Sequence, residues 1–384
     1  MRVLFVSYYL PPLLYPQSIQ IGRFLYYLKK YNDLDIVVAT ADEIKSKKDY
    51  ELYPDIFDGI EVLHIKNSFN LYINYIKNRF LPFIYQRPDT YLKWMNMAYK
   101  EIIKRYDKFD VILTFSYPLS TNILGKKLKS FYKCKWIAHN SDPWADNPHL
   151  HIPLYLKKYH QKLENETFCK ADKLLFTSIE TAEFYRQKYP KLDIDYINHS
   201  FDKCLYPKIE AKNKKFTFRY IGSFYGQRTP KPLFEAMSLL LKEELDRFDV
   251  ELIGGGKKAE ILLKKYNLHN VKVLSSVSYI KSLELMKSSD CLLVIDAPSK
   301  EKSIFFPSKL ADYIGSYRSI LGISPKGTTD RILKELGYKC FDPKNIDDIK
   351  CGIISQINND FINVDIEKYD ITYNVEKLRR IIDE

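Results

Sequence analysis

Long hydrophobic runs are missing from this 384-residue chain. No apolar stretch approaches the ~18 to 20 residues that cross a bilayer as a helix, so a soluble or peripheral protein is expected. The opening MRVLFVSYYLPPLLYP places one Arg before an apolar stretch, as a signal peptide would. It is broken by Pro11 and Pro12 and lacks a small-residue cleavage site, so it reads as a buried first strand followed by a loop, in a cytoplasmic protein. Paired cysteines are missing too. Cys134, Cys169, Cys204, Cys291, Cys340 and Cys351 are scattered and never form CxxC, so neither zinc nor a disulfide framework is indicated and reduced thiols are expected. Glycine is scarce, at 13 residues, beside abundant Lys, Ile, Asn and Tyr. That bias is what an AT-rich genome imposes, and no function is read from it.

What is present is a globular composition: 46% hydrophobic and 28% charged residues, in a chain long enough for two cores of just under 200 residues each. Net charge is +12, and it is uneven. Residues 77–135 hold thirteen Lys and Arg against four Asp and Glu, so an anionic surface is a candidate partner and nucleic acid has to be considered.

Short runs rich in Val, Ile, Leu and Phe alternate with helical patterns, the mark of parallel strands joined by helices. In the first half they fall near 2–7, 34–39, 61–65, 110–115, 135–138 and 173–177, which predicts a doubly wound sheet. Ser18 is the expected N-cap of the first helix, which puts Ile21, Phe24, Leu25 and Leu28 on one face. Ligands of open α/β sheets bind outside the C-terminal strand ends, so the loop from Tyr8 to Gln17 should border a cleft. After a lysine-rich stretch the pattern restarts, with strands near 216–221, 249–253, 271–274, 291–295 and 319–323. The expected division is residues 1–200, then 201–365. A terminal helical segment, 366–384, carries the stripe Val375, Leu378, Ile381 and Ile382. No internal sequence repeat joins the halves.

Two clusters carry the chemistry. In YIGSFYGQRTP, residues 220–230, a buried strand ends at Gly222, a second glycine follows at Gly226, and Arg228 precedes a helical run. Glycine permits close backbone approach, a helix start offers free N–H groups, and Arg binds phosphate oxygens in a fork. An ordinary tight turn with a solvated Arg accounts equally for this segment taken alone. In SIFFPSKLADYIGSYRSILGI, residues 303–323, Pro307 fits a helix start, and Lys309 and Asp312 share a face three residues apart. In isolation, a surface ion pair on a half-buried helix is the simpler account of that pair.

Together the clusters resemble glycosyltransferase family 4 of the GT-B fold over nearly the whole chain. RVLFVSYYLPP is similar to that family's first strand and loop, GSFYGQR to its glycine-plus-basic turn, and LIGGG to its mid-domain glycine run. SSDCLLVIDAPS and PSKLADYIGSYRSILGI complete the series in order. The resemblance implies an α/β architecture of two Rossmann-like doubly wound domains facing a central cleft. It places the acceptor on the N-terminal side, the nucleotide-sugar donor on the C-terminal side, and the terminal helix back on the first domain.

By the same resemblance Arg228 and Lys309 neutralise the donor diphosphate, with Gly222, Ser223, Gly254 and Ser308 around it. No metal-holding DxD site and no added cofactor are expected; a nucleoside diphosphate sugar is the donor substrate. Asp312 takes the place of the carboxylate that binds the ribose hydroxyls, one methylene shorter than the usual Glu, and Val277 and Ser278 lie against the base.

Two departures stand out. Ile304 occupies the position where the family has the glutamate that contacts the donor sugar, with Asp296 and Glu301 nearby but out of register. Ser223 occupies a position that is often basic.

In the N-terminal half, WIAHNSDPWADNPH, residues 136–149, follows an apolar strand, and the resemblance points to Asp142 and then His139 for orienting the acceptor hydroxyl or contacting the transferred sugar. A capping Asp and a packing His are the alternative account of that stretch. The first-loop glycine pair of the family is replaced by Tyr15, Pro16, Gln17 and Ser18; Ser116 and Pro118 end another strand and are expected along the same cleft.

The implied reaction is transfer of a sugar, with retention, to a hydroxyl of a glycan or lipid-linked acceptor in surface-polysaccharide assembly. Residues 69–109 interleave aromatics with cations, which suits either an anionic membrane surface or a solvated helix face. A non-catalytic GT-B protein binding a nucleotide sugar or a partner is the alternative that Ile304 favours. Single-stranded nucleic acid binding leaves Arg228 and Lys309 without a role, and no nucleic acid partner is expected.

Overall fold

The computed structural model describes residues 1–42, 48–66, 76, 79–80, 87–147, 152–208, 213–299, 302–358 and 365–384. The chain divides into two compact units, Met1–Asn198 with Asn374–Glu384, and His199–Tyr373.

The sheet of the first unit contains β1 (Arg2–Ser7), β2 (Asp35–Asp42), β3 (Glu61–Lys66), β4 (Val111–Ser116), β5 (Lys135–Asn140), β6 (Lys173–Phe176) and β7 (Ile194–Tyr196). All neighbours are parallel, in the order β3-β2-β1-β4-β5-β6-β7. The order reverses between β1 and β4, leaving a crevice between those two strands at their C-terminal ends. The helices are α1 (Pro16–Leu28), α2 (Leu92–Arg105), α3 (Ser120–Tyr132), α4 (Leu154–Phe168) and α5 (Ile179–Lys188).

The second unit repeats the plan with β8 (Phe216–Ile221), β9 (Phe248–Ile253), β10 (Val271–Leu274), β11 (Cys291–Ile295), β12 (Ser319–Ile323) and β13 (Lys339–Phe341), in the order β10-β9-β8-β11-β12-β13. Here the reversal lies between β8 and β11. Its helices are α6 (Lys231–Ser238), α7 (Lys242–Leu245), α8 (Gly256–Tyr266), α9 (Tyr279–Lys287), α10 (Ser308–Gly315), α11 (Thr328–Glu335) and α12 (Ile346–Asn358); α13 (Ile371–Asp383) ends the chain. This is the expected α/β arrangement of two Rossmann-like sheets.

The buried strands read as continuous apolar runs because helices cover both faces of a parallel sheet. Arg219 interrupts β8 and is buried. Its register partner on β9 is Glu251, and the guanidinium donates to that carboxylate at 2.6 Å, so the charge is matched inside its own ladder. β7 and β13 are three-residue edge strands with only partial burial, too short to leave an apolar run in the sequence.

Helix α1 starts earlier than expected. Tyr15 is the capping residue, without a side-chain cap, and Pro16 opens the helix, its fixed φ suiting the first position. Ser18 therefore lies inside the first turn and is buried, while Ile21, Phe24, Leu25 and Leu28 form the buried stripe. In α13, Val375, Leu378, Ile381 and Ile382 are buried, and the Lys135 ammonium donates to the carbonyls of Ile381 at 2.5 Å and Ile382 at 3.3 Å. A lysine there satisfies carbonyls that the helix C-terminus leaves open.

Helix α3 meets the sheet through Gly125. A Cβ at this position would come within 2.3 Å of Trp136 Nε1 and 2.8 Å of Thr114 Cγ2. Trp136 is fully buried and donates to Thr114 Oγ1 at 2.9 Å, so it is held against moving aside. Gly125→Ala is expected to lower stability by about 1–3 kcal/mol through overpacking, read as an earlier denaturant midpoint; an unchanged midpoint would contradict the close approach.

Candidate functional site

The crevice of the second unit is framed by the loops that leave β8 and β11. After β8 the chain turns through Gly222, with φ of 137°, and runs to Arg228 ahead of α6. A Cβ on Gly222 would lie 3.6 Å from Lys309 Nζ, and one on Gly254, with φ of 78°, would lie 3.3 Å from the Gly222 carbonyl oxygen. Both positions need positive φ, which glycine adopts without the penalty of a side chain. Lys258 of α8 fastens the turn, donating to the carbonyls of Gly226 at 3.1 Å and Arg228 at 2.6 Å.

Arg228 reaches Asp296, the first residue after β11, at 3.1 Å, and its guanidinium lies 5.0 Å from the centre of the Tyr225 ring. The other oxygen of Asp296 accepts from Ser324 Oγ at 3.0 Å. Asp296 is buried and both of its oxygens are engaged, so it holds Arg228 in place.

Lys309 enters from the first turn of α10, which Pro307 caps and Ser308 opens. Its ammonium sits 3.7 Å above the centre of the Tyr220 ring, within the range of a cation–π contact. Tyr220 is itself stacked on Phe224, with centroids 4.2 Å apart and planes 8° from parallel. Among the described residues Lys309 Nζ is buried without a hydrogen-bond partner. Burial pulls this ammonium well below the ordinary lysine pKa, and the charge of Arg228 pushes the same way. Two cations thus lie beside one carboxylate in a largely dry recess that can take a compact anion.

Asp312 is on the next turn of α10. It is buried, and its Oδ1 accepts from the Tyr279 hydroxyl at 2.9 Å; the Tyr206 hydroxyl donates to its backbone carbonyl at 2.5 Å. Tyr279 opens α9 directly after Val277 and Ser278, both exposed, and Ser278 caps α9 by accepting from Lys281 N at 3.3 Å. The structure thereby links residues 277–278 to Asp312 through Tyr279. Ser223 is exposed, and Ile304 is half-buried. Glu301 lies outside the described residues.

A staple fixes the approach to α10. Ser303 N donates to Lys326 O and Thr328 N to Ser303 O, each at 2.8 Å, while Asp296 N donates to Ile323 O at 3.0 Å. Residues 296 and 303 are therefore both bound to the exit of β12, on either side of the loop between them.

In the first unit His139 is the last residue but one of β5, buried between the rings of Phe115, at 5.1 Å, and Phe24, at 6.5 Å. Its Nδ1 is buried without a partner among the described residues, and burial lowers its pKa to about 4, so it is neutral at pH 7. Asp142 has a solvent-exposed side chain; crowding by the chain around it pushes the carboxyl up to about 6, a shift that solvent contact limits.

The loop beyond it is tightly anchored. Trp144 is buried, with its backbone N donating to the Tyr185 hydroxyl at 2.8 Å and Nε1 donating to His160 Nδ1 at 3.1 Å. Buried Glu164 accepts from Ala145 N at 2.8 Å, Tyr185 at 3.0 Å, Tyr189 at 2.7 Å and Lys188 at 2.5 Å.

Sequence reasoning missed Tyr220, Ser324, Tyr279 and Glu164. An aromatic two residues before Gly222 is the one local signal for Tyr220; the other three act across the fold, where spacing carries no information.

No described helix is long and apolar enough to cross a membrane. Among the described residues no group of three or more His, Cys, Asp or Glu could hold a metal ion. Of the basic segment 69–109, residues 69–75, 77–78 and 81–86 lie outside the described residues; α2, within it, exposes Lys93, Lys100, Lys104 and Arg105.

No family model matches the chain, and no curated protein matches it. Solved structures do. Sucrose-phosphate synthase from Thermosynechococcus elongatus is 10% identical with a TM-score of 0.68, covering 100% of this chain and 98% of that one. HepE from Anabaena, in complex with UDP and glucose, is 13% identical with a TM-score of 0.65, covering 100% and 99%. UDP-GlcNAc 2-epimerase from Neisseria meningitidis, bound to UDP-GlcNAc, is 12% identical with a TM-score of 0.59, covering 100% and 99%. The chain has the GT-B fold, which transferases and epimerases share, so the reaction has to be argued from residues.

Lys309→Met gives a direct test of the recess. The folded-state pKa of Lys309 is depressed, so its charged form destabilises the ligand-free fold at neutral pH, and that cost is relieved as pH rises through the depressed value toward the ordinary lysine range. At pH 7 the Met variant should equal or exceed the wild type in ligand-free thermal stability, and the difference should narrow as pH rises. A large loss of stability at pH 7 would show that Lys309 is a structural cation.

Proposed function

We propose that this protein is a glycosyltransferase that moves a sugar from a nucleoside diphosphate sugar to a hydroxyl of a carbohydrate or lipid-linked glycan, with retention and without a required metal, in surface-polysaccharide assembly. The observation that carries the reading is the buried Lys309 ammonium beside Arg228, without a hydrogen-bond partner among the described residues. A buried charge without hydrogen bonds is costly, and a diphosphate would supply both acceptors and counter-charge.

In this reading Arg228 and Lys309 bind the diphosphate. Gly222 and Gly254 keep the backbone low enough for its approach, and Ser223 and Ser308 offer polar groups at its edge. Val277 and Ser278 lie against the base, and Asp312, oriented by Tyr279, takes a ribose hydroxyl. Asp142 and His139 of the first unit contact the acceptor or the transferred sugar. Neutral His139 can accept a hydroxyl proton's hydrogen bond at pH 7, and Asp142 can do so in its ionised form.

In the transfer step the bond from the anomeric carbon to the diphosphate oxygen breaks and one forms to the acceptor oxygen. The acceptor proton passes to the departing phosphate. Negative charge grows on the leaving group, and fixed cations stabilise the transition state more than the ground state.

The solved neighbours described with UDP and glucose or UDP-GlcNAc support a nucleotide-sugar ligand. A second reading, a non-catalytic nucleotide-sugar-binding protein, is favoured by Ile304 and by the engagement of both Asp296 oxygens.

A thermal-shift screen of nucleotide sugars should give a selective stabilisation of the wild type. With that donor, Arg228→Ala and Lys309→Ala should each lower turnover by roughly 10²–10³-fold, the scale of losing one charge-stabilising donor. Near-wild-type turnover in both variants would remove the assignment, and donor binding without transfer or hydrolysis would select the second reading.

The exposed cations of α2 support peripheral docking on an anionic membrane. Sedimentation with phosphatidylglycerol-containing vesicles, but not with neutral ones, is the expected result; equal sedimentation with both would remove the docking claim.

A further inference from the structure

Tyr220 is the last residue but one of β8, and it joins the core of the second unit with Phe218, as alternation along a strand requires. Packing alone asks only for an apolar residue there. This tyrosine is more closely specified. Its ring stacks on Phe224, with centroids 4.2 Å apart, and its hydroxyl donates to the Ser223 carbonyl at 3.2 Å. The side chain is fully buried, so the ring is fixed at both its face and its tip. The Lys309 ammonium stands 3.7 Å from the same ring centre. Two groups that close to one centroid cannot share a side, so Phe224 backs one face and the ammonium meets the other.

The helix that carries Lys309 is pinned separately. The Tyr313 hydroxyl, one turn further along α10, accepts from Ile221 N at 2.7 Å and donates to Ile221 O at 3.3 Å. These bonds fix the Lys309 backbone against the end of β8. They leave a flexible four-carbon stem whose ammonium no hydrogen bond holds among the described residues.

The charged and titratable neighbours do not supply that restraint. Arg228 repels the ammonium, and Asp296, which attracts it, has its oxygens engaged with Arg228 and Ser324. Asp312, on the same helix, accepts from Tyr279. Burial pushes the Tyr220 and Tyr313 hydroxyls well above the ordinary tyrosine range, so neither offers a phenolate. What remains at contact distance is the ring face of Tyr220. A ring face attracts a cation through its quadrupole, most strongly where water is absent. Leucine at 220 would fill the core and supply no such face.

We propose that Tyr220 is a positioning residue of the anion recess: it acts through Lys309, holding the ammonium in place as a cation before a ligand arrives, and its hydroxyl ties that cation to the turn carrying Arg228. Its bearing on catalysis rests on the transferase reading; the contact between ring and ammonium does not.

The test uses the full chain and two measurements. NMR of carbon-13-labelled lysine follows the titration of Lys309 in the ligand-free protein, its signal assigned by its loss in Lys309→Met. Calorimetry follows binding of inorganic pyrophosphate at pH 7. Tyr220→Phe keeps the ring, Tyr220→Leu removes it, and pentafluorophenylalanine at position 220 keeps the ring's shape while reversing the sign of its face. In the leucine and pentafluoro proteins the Lys309 ammonium should become a roughly tenfold stronger acid, and pyrophosphate should bind roughly tenfold more weakly. Tyr220→Phe should match the wild type in both. In a Lys309→Met background the same changes at 220 should leave pyrophosphate affinity where it is, as expected of a residue that acts only through Lys309.

The pentafluoro protein preserves the core's packing and decides the matter if Tyr220→Leu does not fold. A Lys309 titration that does not move, affinity equal to or above that of the wild type, or an equal loss in the Lys309→Met background would overturn the proposal. A wild type that fails to bind pyrophosphate would sink the diphosphate reading instead, and the titration would then decide this proposal by itself.

Discussion

An imbalance of charge organises the second unit: Arg228 and Lys309 share a recess with a single carboxylate, Asp296. Water is largely removed from Lys309, so its charge is only weakly screened, and the surrounding groups serve to keep it where it is. Tyr220 offers its ring face to the ammonium, Phe224 backs that ring, and Ser324 fixes the far side of Asp296. The glycines at 222 and 254 belong to the same arrangement, because both take positive φ and a Cβ at 254 would press on the Gly222 carbonyl 3.3 Å away. On the proposed reading, an anion entering the recess offsets that cost.

The two crevices show how one sheet plan supports different chemistry. Each sits at the reversal of strand order, where two loops diverge and leave room. In the second unit those loops bring cations and glycines; in the first they bring tyrosines and uncharged polar groups. The difference lies in the loops alone, since both sheets are parallel and apolar and are covered by helices. Glu164 extends this logic on the first unit's side: one buried carboxylate gathers four donors and thereby sets the course of the loop through Trp144 and Ala145.

Much of the architecture was legible because long buried strands write themselves as apolar runs: the starts and ends of β1, β8, β10, β11 and β12 follow the pattern directly. The three-residue edges β7 and β13 left no such run, and the cap of α1 shifted because Pro16 competes with Ser18 for the helix start. Gly222, Arg228, Lys309 and Asp312 were visible as local motifs, and the fold brings Gly222, Arg228 and Lys309 together around one recess. Their partners were not visible. Asp296 lies near, but out of register with, the place of the sugar-contacting carboxylate, and both its oxygens are taken by Arg228 and Ser324, contacts 68 and 28 residues away in sequence. Tyr279 and Asp312 likewise meet only because α9 and α10 lie side by side.

The staple before α10 has a consequence for how this site could diversify. Asp296 is bound to Ile323 at the end of β12 and Ser303 to Lys326 and Thr328 just beyond it, so Arg228's carboxylate partner and the approach to the helix carrying Lys309 are both anchored outside the segment that joins them. Adding residues between two fixed ends costs little, because closure entropy grows only with the logarithm of length. The segment can therefore be lengthened, shortened or rewritten in descent while the cations stay in register, which makes it a place where new selectivity can arise without rebuilding the anion recess.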